Sequence, residues 1–155
     1  MQRILKTVGV EASGFLLAHS MGLGKTFTTI AVIEACFLKY RKESRIFRVI
    51  VACPKSCIFT TWCDEMERWD EALDDRLSFK YTGVNDDKSL KKDMARWSKR
   101  GGVIIMGHDR FRMCQSGDTP LEFEFLVFDE GHILKNPDTL MYQAVNNLQV
   151  SRKLL

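Results

Sequence analysis

Met21-Gly22-Leu23-Gly24-Lys25-Thr26 is the stretch of sequence that decides the fold of this chain. An apolar run at 15–18 precedes it and predicts a strand, and a helical pattern follows from Lys25 to Leu38. A strand, a glycine-rich turn, a Lys-Thr pair and a helix together predict a phosphate-binding loop. Such a loop surrounds a polyphosphate with backbone N–H groups and the positive end of the helix dipole.

The chemistry of this loop indicates a nucleoside triphosphate with Mg²⁺. Lys25 can reach the β- and γ-phosphates, and the hydroxyl of Thr26 can bind Mg²⁺. The usual first glycine, five residues before Gly24, is His19 here. The alternative is a glycine turn that only connects a strand to a helix. The predicted nucleotide contacts are His19, Ser20, Met21, Gly22, Leu23, Gly24, Lys25 and Thr26.

A second motif lies far along the chain. The apolar run Phe125–Phe128 predicts a buried strand and leads directly into Asp129-Glu130-Gly131-His132. Carboxylates at the carboxyl end of a parallel strand are where a nucleoside triphosphatase holds its metal ion. We therefore predict that Asp129 binds Mg²⁺, directly or through a water molecule, and that Glu130 positions the attacking water. A surface acidic turn is the alternative interpretation.

Composition indicates one ordinary globular domain. The chain has 155 residues, and none of its apolar stretches reaches the length that spans a membrane, so we expect no membrane partner. Its net charge of +3 permits a nucleic-acid partner without arguing for one. Its five cysteines contain no Cys-x-x-Cys pair, which favours buried thiols in a reducing compartment over zinc ligands.

Strand and helix patterns alternate along the chain, which predicts an α/β fold: a parallel sheet with helices on both faces. The tryptophans fit the apolar faces of helices and are predicted to be core residues. Ser56 is predicted to cap a helix whose apolar stripe is Phe59, Trp62, Met66 and Trp69. The other predicted strands are Phe47–Ala52, Ser78–Tyr81 and Val103–Met106, and the other predicted helices are Lys88–Lys99 and one that begins at Asn136-Pro137 and runs through Leu148.

Taken together, the residues from Gly14 to Thr26 and from Asp129 to Pro137 resemble the Swi/Snf-type DNA-dependent ATPases of helicase superfamily two. The lead-in Ala18-His19-Ser20 is similar to the ATRX-like branch of that family. Two weaker segments also match, namely Val51–Ser56 followed by Trp62 and Glu65, and Val103–Asp109 with Arg112. The likeness extends from about Gly14 to Leu155.

This resemblance implies a RecA-like P-loop NTPase lobe that binds ATP and Mg²⁺. Residues 1–155 would be an incomplete first lobe, with the second lobe and its arginine fingers absent, so that the isolated chain would hydrolyse ATP very slowly. Lys55 and Ser56 would contact phosphates of duplex DNA, and His132 would couple nucleotide to nucleic acid. The full-length protein would be nuclear and act on chromatin, and the oligomeric state stays open.

Two other functions compete with this interpretation. One is a truncated, non-catalytic module that binds nucleotide or DNA. The other is an unrelated P-loop NTPase, which the sequence supports less because Asp129-Glu130-Gly131-His132 fits helicases better.

Overall fold

Six strands form one parallel sheet in the part of the chain that the structure describes. The structure is a computed structural model, and it describes residues 13–15, 24–72, 77–117, 120–148 and 152–154. The strands are β1 Ser13–Phe15, β2 Arg48–Cys53, β3 Tyr81–Val84, β4 Gly102–Gly107, β5 Phe125–Phe128 and β6 Arg152–Leu154. Their order in the sheet is β1-β6-β5-β2-β4-β3.

Helices cover both faces of this sheet. Along β2, Val49 and Val51 face one apolar cluster, whereas Ile50 and Ala52 face the other, as the period of two in a strand requires. The helices are α1 Lys25–Lys42, a π-helix Ile58–Cys63, α2 Asp64–Ala72, α3 Asp87–Arg100, α4 His108–Gln115, a 3₁₀ helix Gly131–Lys135 and α5 Leu140–Asn146. Helices α1 and α2 pack on the first face, and α3, α4 and α5 pack on the second. The predicted α/β fold is therefore confirmed.

The third strand begins later than the predicted Ser78–Tyr81. Ser78 is held by α1, because its N–H and its hydroxyl donate to Glu34 Oε2 at 3.0 and 2.9 Å. Strand pairing with β4 starts only at Tyr81. The prediction placed this strand too early because the contact with Glu34 joins residues far apart in the sequence.

The last helix also begins later than predicted. Asn136 and Pro137 precede it, and its N-cap is Thr139, whose hydroxyl accepts from the N–H of Tyr142 at 3.2 Å. The side-chain oxygen of Asn136 instead accepts from the N–H of Asp138 at 3.0 Å, which is a local turn. The Asn-Pro pair therefore marks a turn before the helix, and the predicted helix start is wrong.

The segment after β2 differs from the prediction as well. Ser56 does not cap a helix, since Cys57 occupies the N-cap without a side-chain bond. Phe59 is 46% exposed, whereas Trp62 and Met66 are buried. The π-helix explains this, because its wider turn changes the spacing at which side chains reach the core. The predicted core role is confirmed for Trp62 and Met66 and is wrong for Phe59.

Other boundaries differ by smaller amounts. Helix α1 continues past Leu38 to Lys42, and residues 16–18 of the predicted first strand lie outside the described residues. Strand β6 and helix α4 have no counterpart in the sequence prediction. Strand β6 is short and carries Arg152 and Lys153, so it lacks the apolar run that would predict a strand. None of the described helices is long and apolar enough to cross a membrane.

Candidate active site

Asp129 lies at the carboxyl edge of the sheet, directly after β5. Helix α1 starts at Lys25 and runs toward the amino edge, where Tyr40 near its end stacks on Phe47 just before β2. The start of α1 therefore lies toward the same edge as Asp129. In the described sheet β6 lies between β1 and β5, so these two strands are about 10 Å apart at roughly 4.8 Å per strand spacing.

Of the predicted phosphate-binding residues, the structure describes Gly24, Lys25 and Thr26. His19, Ser20, Met21, Gly22 and Leu23 lie outside the described residues. Gly24 is the N-cap of α1 and has a left-handed backbone with φ of 70°, which favours glycine.

The start of α1 has the electrostatic character that an anion requires. Within the described part of the chain, no side chain caps this helix and its first turn carries no acidic residue. The first N–H groups of a helix have no partner inside it, and they carry the positive end of the helix dipole. Gly24, Lys25 and Thr26 therefore present a cationic helix start at the carboxyl edge.

Asp129 is held in a fixed orientation by three hydrogen bonds. The indole N–H of Trp62 donates to Oδ2 at 3.1 Å, and the N–H of Glu130 donates to Oδ1 at 3.0 Å. The N–H of Asp129 itself donates to the carbonyl oxygen of Ala52 on β2 at 2.8 Å. Because Trp62 is only 2% exposed, its indole is a rigid donor.

The bond from Trp62 was not predicted from the sequence, although Trp62 was correctly assigned to the core. A buried indole N–H needs a hydrogen-bond partner, and that requirement was the only signal in the sequence. The structure supplies the carboxylate of Asp129 as that partner.

Glu130 has a strained backbone. Its φ of 60° and ψ of 49° lie in the left-handed region, which a non-glycine residue rarely occupies without cause. Its carboxylate lies 3.0 Å from Nδ1 of His132, and both side chains are exposed. The structure therefore brings Asp129, Glu130 and His132 together in one turn, with Glu130 pointing away from the core.

His108 supports the same turn from α4, a role that the sequence analysis did not predict. Its Nε2 lies 3.0 Å from the carbonyl oxygen of Asp129, and its ring stacks on Phe128 at 4.6 Å between centroids. A carbonyl oxygen can only accept, so Nε2 carries the proton in this bond. Burial lowers the pKa of His108 below its ordinary value, which favours the neutral ring.

Lys55 and Ser56 lie at this edge too, in the turn after β2, and both are exposed. Lys55 lies beside Gly107 at the end of β4, where an added Cβ would be 3.7 Å from the Cβ of Lys55. The two residues are thus accessible from the same side as Asp129.

Two cysteines neighbour this site, Cys53 and Cys63. Burial raises the pKa of Cys63 to about 11 and raises that of Cys53 further. The raised pKa values favour the thiol over the thiolate, which is the nucleophilic form.

Comparison with known proteins identifies the family. The profile of the SNF2-related domain matches residues 4–155. This chain belongs to the SNF2-related domain family. Membership confirms the resemblance described above to SNF2-type ATPase domains, a family that uses nucleotide.

Several relatives align with nearly the whole of this chain. The human transcriptional regulator ATRX is 27% identical over 99% of this chain and 7% of its own length. The DNA repair protein rhp54 of Schizosaccharomyces pombe is 28% identical over 93% of this chain and 18% of its own length. Switch 2 of Arabidopsis thaliana is 30% identical over 91% of this chain and 16% of its own length. The chain thus spans less than a fifth of each of these relatives.

A solved structure supports the fold of the SNF2-related domain. The Sulfolobus solfataricus SWI2/SNF2 ATPase core, in complex with dsDNA, superposes with a TM-score of 0.67 and 23% identity. The match covers 97% of this chain and 28% of that chain. The RecA-like fold is therefore confirmed.

Proposed function

We propose that this chain is the first lobe of a DNA-dependent ATPase and that it binds MgATP at the carboxyl edge of the sheet. One observation carries the proposal. The carboxylate of Asp129 is oriented by buried Trp62 at the same sheet edge at which Gly24, Lys25 and Thr26 begin α1.

The residues at this edge fit Mg²⁺. The hydroxyl of Thr26 and the carboxylate of Asp129 are oxygen donors, which Mg²⁺ prefers, and each oxygen of Asp129 has accepting capacity beyond its one bond to Trp62 or Glu130. When bound, Mg²⁺ would neutralise charge on the β- and γ-phosphate oxygens.

The remaining residues have separate roles in this proposal. Lys25 binds the phosphates through its ammonium group, and residues His19 to Gly24 surround them with backbone N–H groups. Glu130 orients the attacking water, and its exposed carboxylate is held by His132 at 3.0 Å. His132 lies at the surface, where a change in its position could transmit nucleotide state to bound nucleic acid.

The proposed partner is the phosphate backbone of duplex DNA, and Lys55 and Ser56 are the proposed contacts. Both are exposed at the carboxyl edge, and the structural neighbour is an ATPase core in complex with dsDNA. Phosphate contacts position a protein without reading sequence, so binding would be weakened by salt and independent of sequence. In a full-length protein we propose a nuclear location and chromatin as the substrate, in line with relatives that regulate transcription or repair DNA.

The test compares MgATP binding by the wild type, Asp129→Asn and the control Asp138→Asn, using titration calorimetry. Asp138 is exposed and lies in the turn before α5. We expect Asp129→Asn to lose the Mg²⁺-dependent part of the affinity, while the control keeps it. Equal MgATP affinity in all three proteins would contradict the proposal.

Hydrolysis requires a further comparison. Phosphate release by residues 1–155 should stay near background with or without duplex DNA, because an arginine finger is worth about 10³–10⁵ in rate in related phosphoryl transfer. A protein that also carries a second lobe should show DNA-stimulated turnover, which Glu130→Gln should abolish without loss of ATP binding. Strong DNA-stimulated turnover by residues 1–155 alone would contradict this division of roles.

A further inference from the structure

A cavity of about 780 Å³ opens at the amino edge of the sheet. Residues that precede β2, β3 and β4 line it, together with the C-terminal ends of α1 and α3. The predicted nucleotide site lies at the opposite, carboxyl edge. The six residues of β2 separate the two edges by about 20 Å at roughly 3.3 Å per residue. A ligand in this cavity would therefore leave the nucleotide site open.

Cationic side chains surround the cavity. Asp93 is the one acidic residue among the described residues that line it, and it pairs with Arg96 at 3.0 Å. No ion pair is found within the described part of the chain for Arg41, Lys80 or Arg100, and all three are exposed. The cationic lining residues are Arg41, Arg45, Lys80, Arg96 and Arg100.

Aromatic rings form the floor of the same cavity. Tyr40 stacks on Phe47 at 4.2 Å, and Phe37 stacks on Phe79 at 4.6 Å between ring centroids. The guanidinium of Arg45 lies 4.8 Å from the centroid of Tyr40, which is a cation–π contact. Tyr40, Phe47 and Phe79 are buried, which makes the floor rigid and preorganised. The apolar surface that remains open below the cationic rim comes from partly buried Phe37 and from exposed Ile46.

We propose that this amino-edge cavity binds an acidic peptide segment of a partner protein that carries an apolar or aromatic side chain between its carboxylates. Arginine side chains bind carboxylates through two parallel hydrogen bonds, and clusters of arginine recognise acidic motifs. The apolar side chain would pack on the aromatic floor. A duplex offers only phosphates and sugars along its convex backbone, and it would leave that concave floor unfilled.

The experiment titrates the full chain of 155 residues with a fluorescent decapeptide of Asp and Glu around one central Phe. A matched peptide replaces each acid by its amide. The test variant combines Arg41→Glu and Arg100→Glu, which reverse two charges of the rim. The control variant combines Lys91→Glu and Lys92→Glu, which reverse two exposed charges of α3 that do not line the cavity. Circular dichroism and MgATP affinity verify that each variant is folded.

We expect the wild type to bind the acidic peptide with an affinity that falls as salt is added. The amide peptide should bind at least about tenfold more weakly. The test variant should bind the acidic peptide about tenfold more weakly than the control variant does. A wild type that binds neither peptide, or equal losses in the two variants, would overturn the proposal. Loss of duplex DNA binding with retained peptide binding in the test variant would make the cavity a nucleic-acid contact and would also overturn it.

Discussion

Left-handed backbone occurs at both edges of the sheet, but it serves different ends there. At the amino edge Gly101 and Gly102 have φ of 73° and 114°, and Ser44 has φ of 53°. At the carboxyl edge Gly24 has φ of 70°, and Glu130, beside the predicted metal ligand, has φ of 60°. Glycine adopts such angles without a steric penalty, whereas a side chain makes them cost on the order of 1–3 kcal/mol. The amino edge is thus built for close packing, and the carboxyl edge retains a strained carboxylate.

Ser44, just after α1, is the other described non-glycine residue with positive φ, at 53°. A left-handed residue directly after a helix is a common way to end it. Ser44 therefore serves as a structural reference for Glu130, because the two have similar φ angles and Ser44 lies far from the predicted metal ligand.

The largest effect is expected at the amino edge, from Gly102→Ala. An added Cβ would lie 2.5 Å from the carbonyl oxygen of Lys80, on a backbone that alanine rarely adopts. We expect the free energy of unfolding to fall by about 3–5 kcal/mol. Urea denaturation measures it, with Gly117→Ala as the control, since its nearest atom would be 3.9 Å away. A loss below about 1 kcal/mol for Gly102→Ala would contradict the close packing of this edge.

The second-largest effect is expected on ATP affinity at the carboxyl edge. Lys25→Ala should remove charge-assisted bonds to phosphate, each worth about 1.5–3 kcal/mol, so ATP should bind about 10- to 150-fold more weakly. Lys39→Ala is the control, because Lys39 is exposed in the last turn of the same helix. Calorimetric titration with MgATP compares the two variants, and equal affinities would remove Lys25 from the nucleotide site.

A smaller effect should separate two buried indoles. Trp62→Phe removes the donor to Asp129 and should weaken MgATP binding by about 1–2 kcal/mol. Trp97→Phe removes a bond of 2.9 Å to the carbonyl oxygen of Gly102 at the amino edge, so it should lower stability by about 1 kcal/mol without changing nucleotide affinity. The comparison is made by calorimetry and urea denaturation on both variants, and it fails if Trp97→Phe weakens MgATP binding as much as Trp62→Phe does.

The smallest effect concerns the two strained residues. Ser44→Gly and Glu130→Gly should each remove the side chain that strains a left-handed backbone. Each should thereby raise the free energy of unfolding by about 0.5 kcal/mol. In a protein that carries a second lobe, only Glu130→Gly should abolish DNA-stimulated phosphate release. Destabilisation by Glu130→Gly would instead show that its side chain supports the fold.

Residues close together in the sequence were predicted well. Runs such as Val103–Met106 and Phe125–Phe128 identified strands, because a buried parallel strand must be apolar on both faces. The alternation of strands and helices likewise determined the α/β class, since parallel strands require helical crossovers. The types of site residue, lysine after a glycine turn and carboxylates after a strand, were also evident from the sequence.

Contacts between distant residues were not predictable in this way. Three hydrogen bonds join elements that are far apart in the sequence. They are the bonds from Trp62 to Asp129, from His108 to the carbonyl oxygen of Asp129, and from Ser78 to Glu34. The five cationic residues around the amino-edge cavity likewise come from several segments.

The sequence by itself determined the buried strands β2, β4 and β5, the residue types that can bind phosphate and metal, and the family that the chain resembles. The strands follow from local backbone preference and the period of apolar residues, whereas the site residues and the resemblance follow from the two motifs. Only the tertiary structure decided which donor orients Asp129, where the turn after β2 becomes a π-helix and that cations and aromatic rings share one cavity. Those features depend on the sheet order, which places elements side by side that are far apart along the chain.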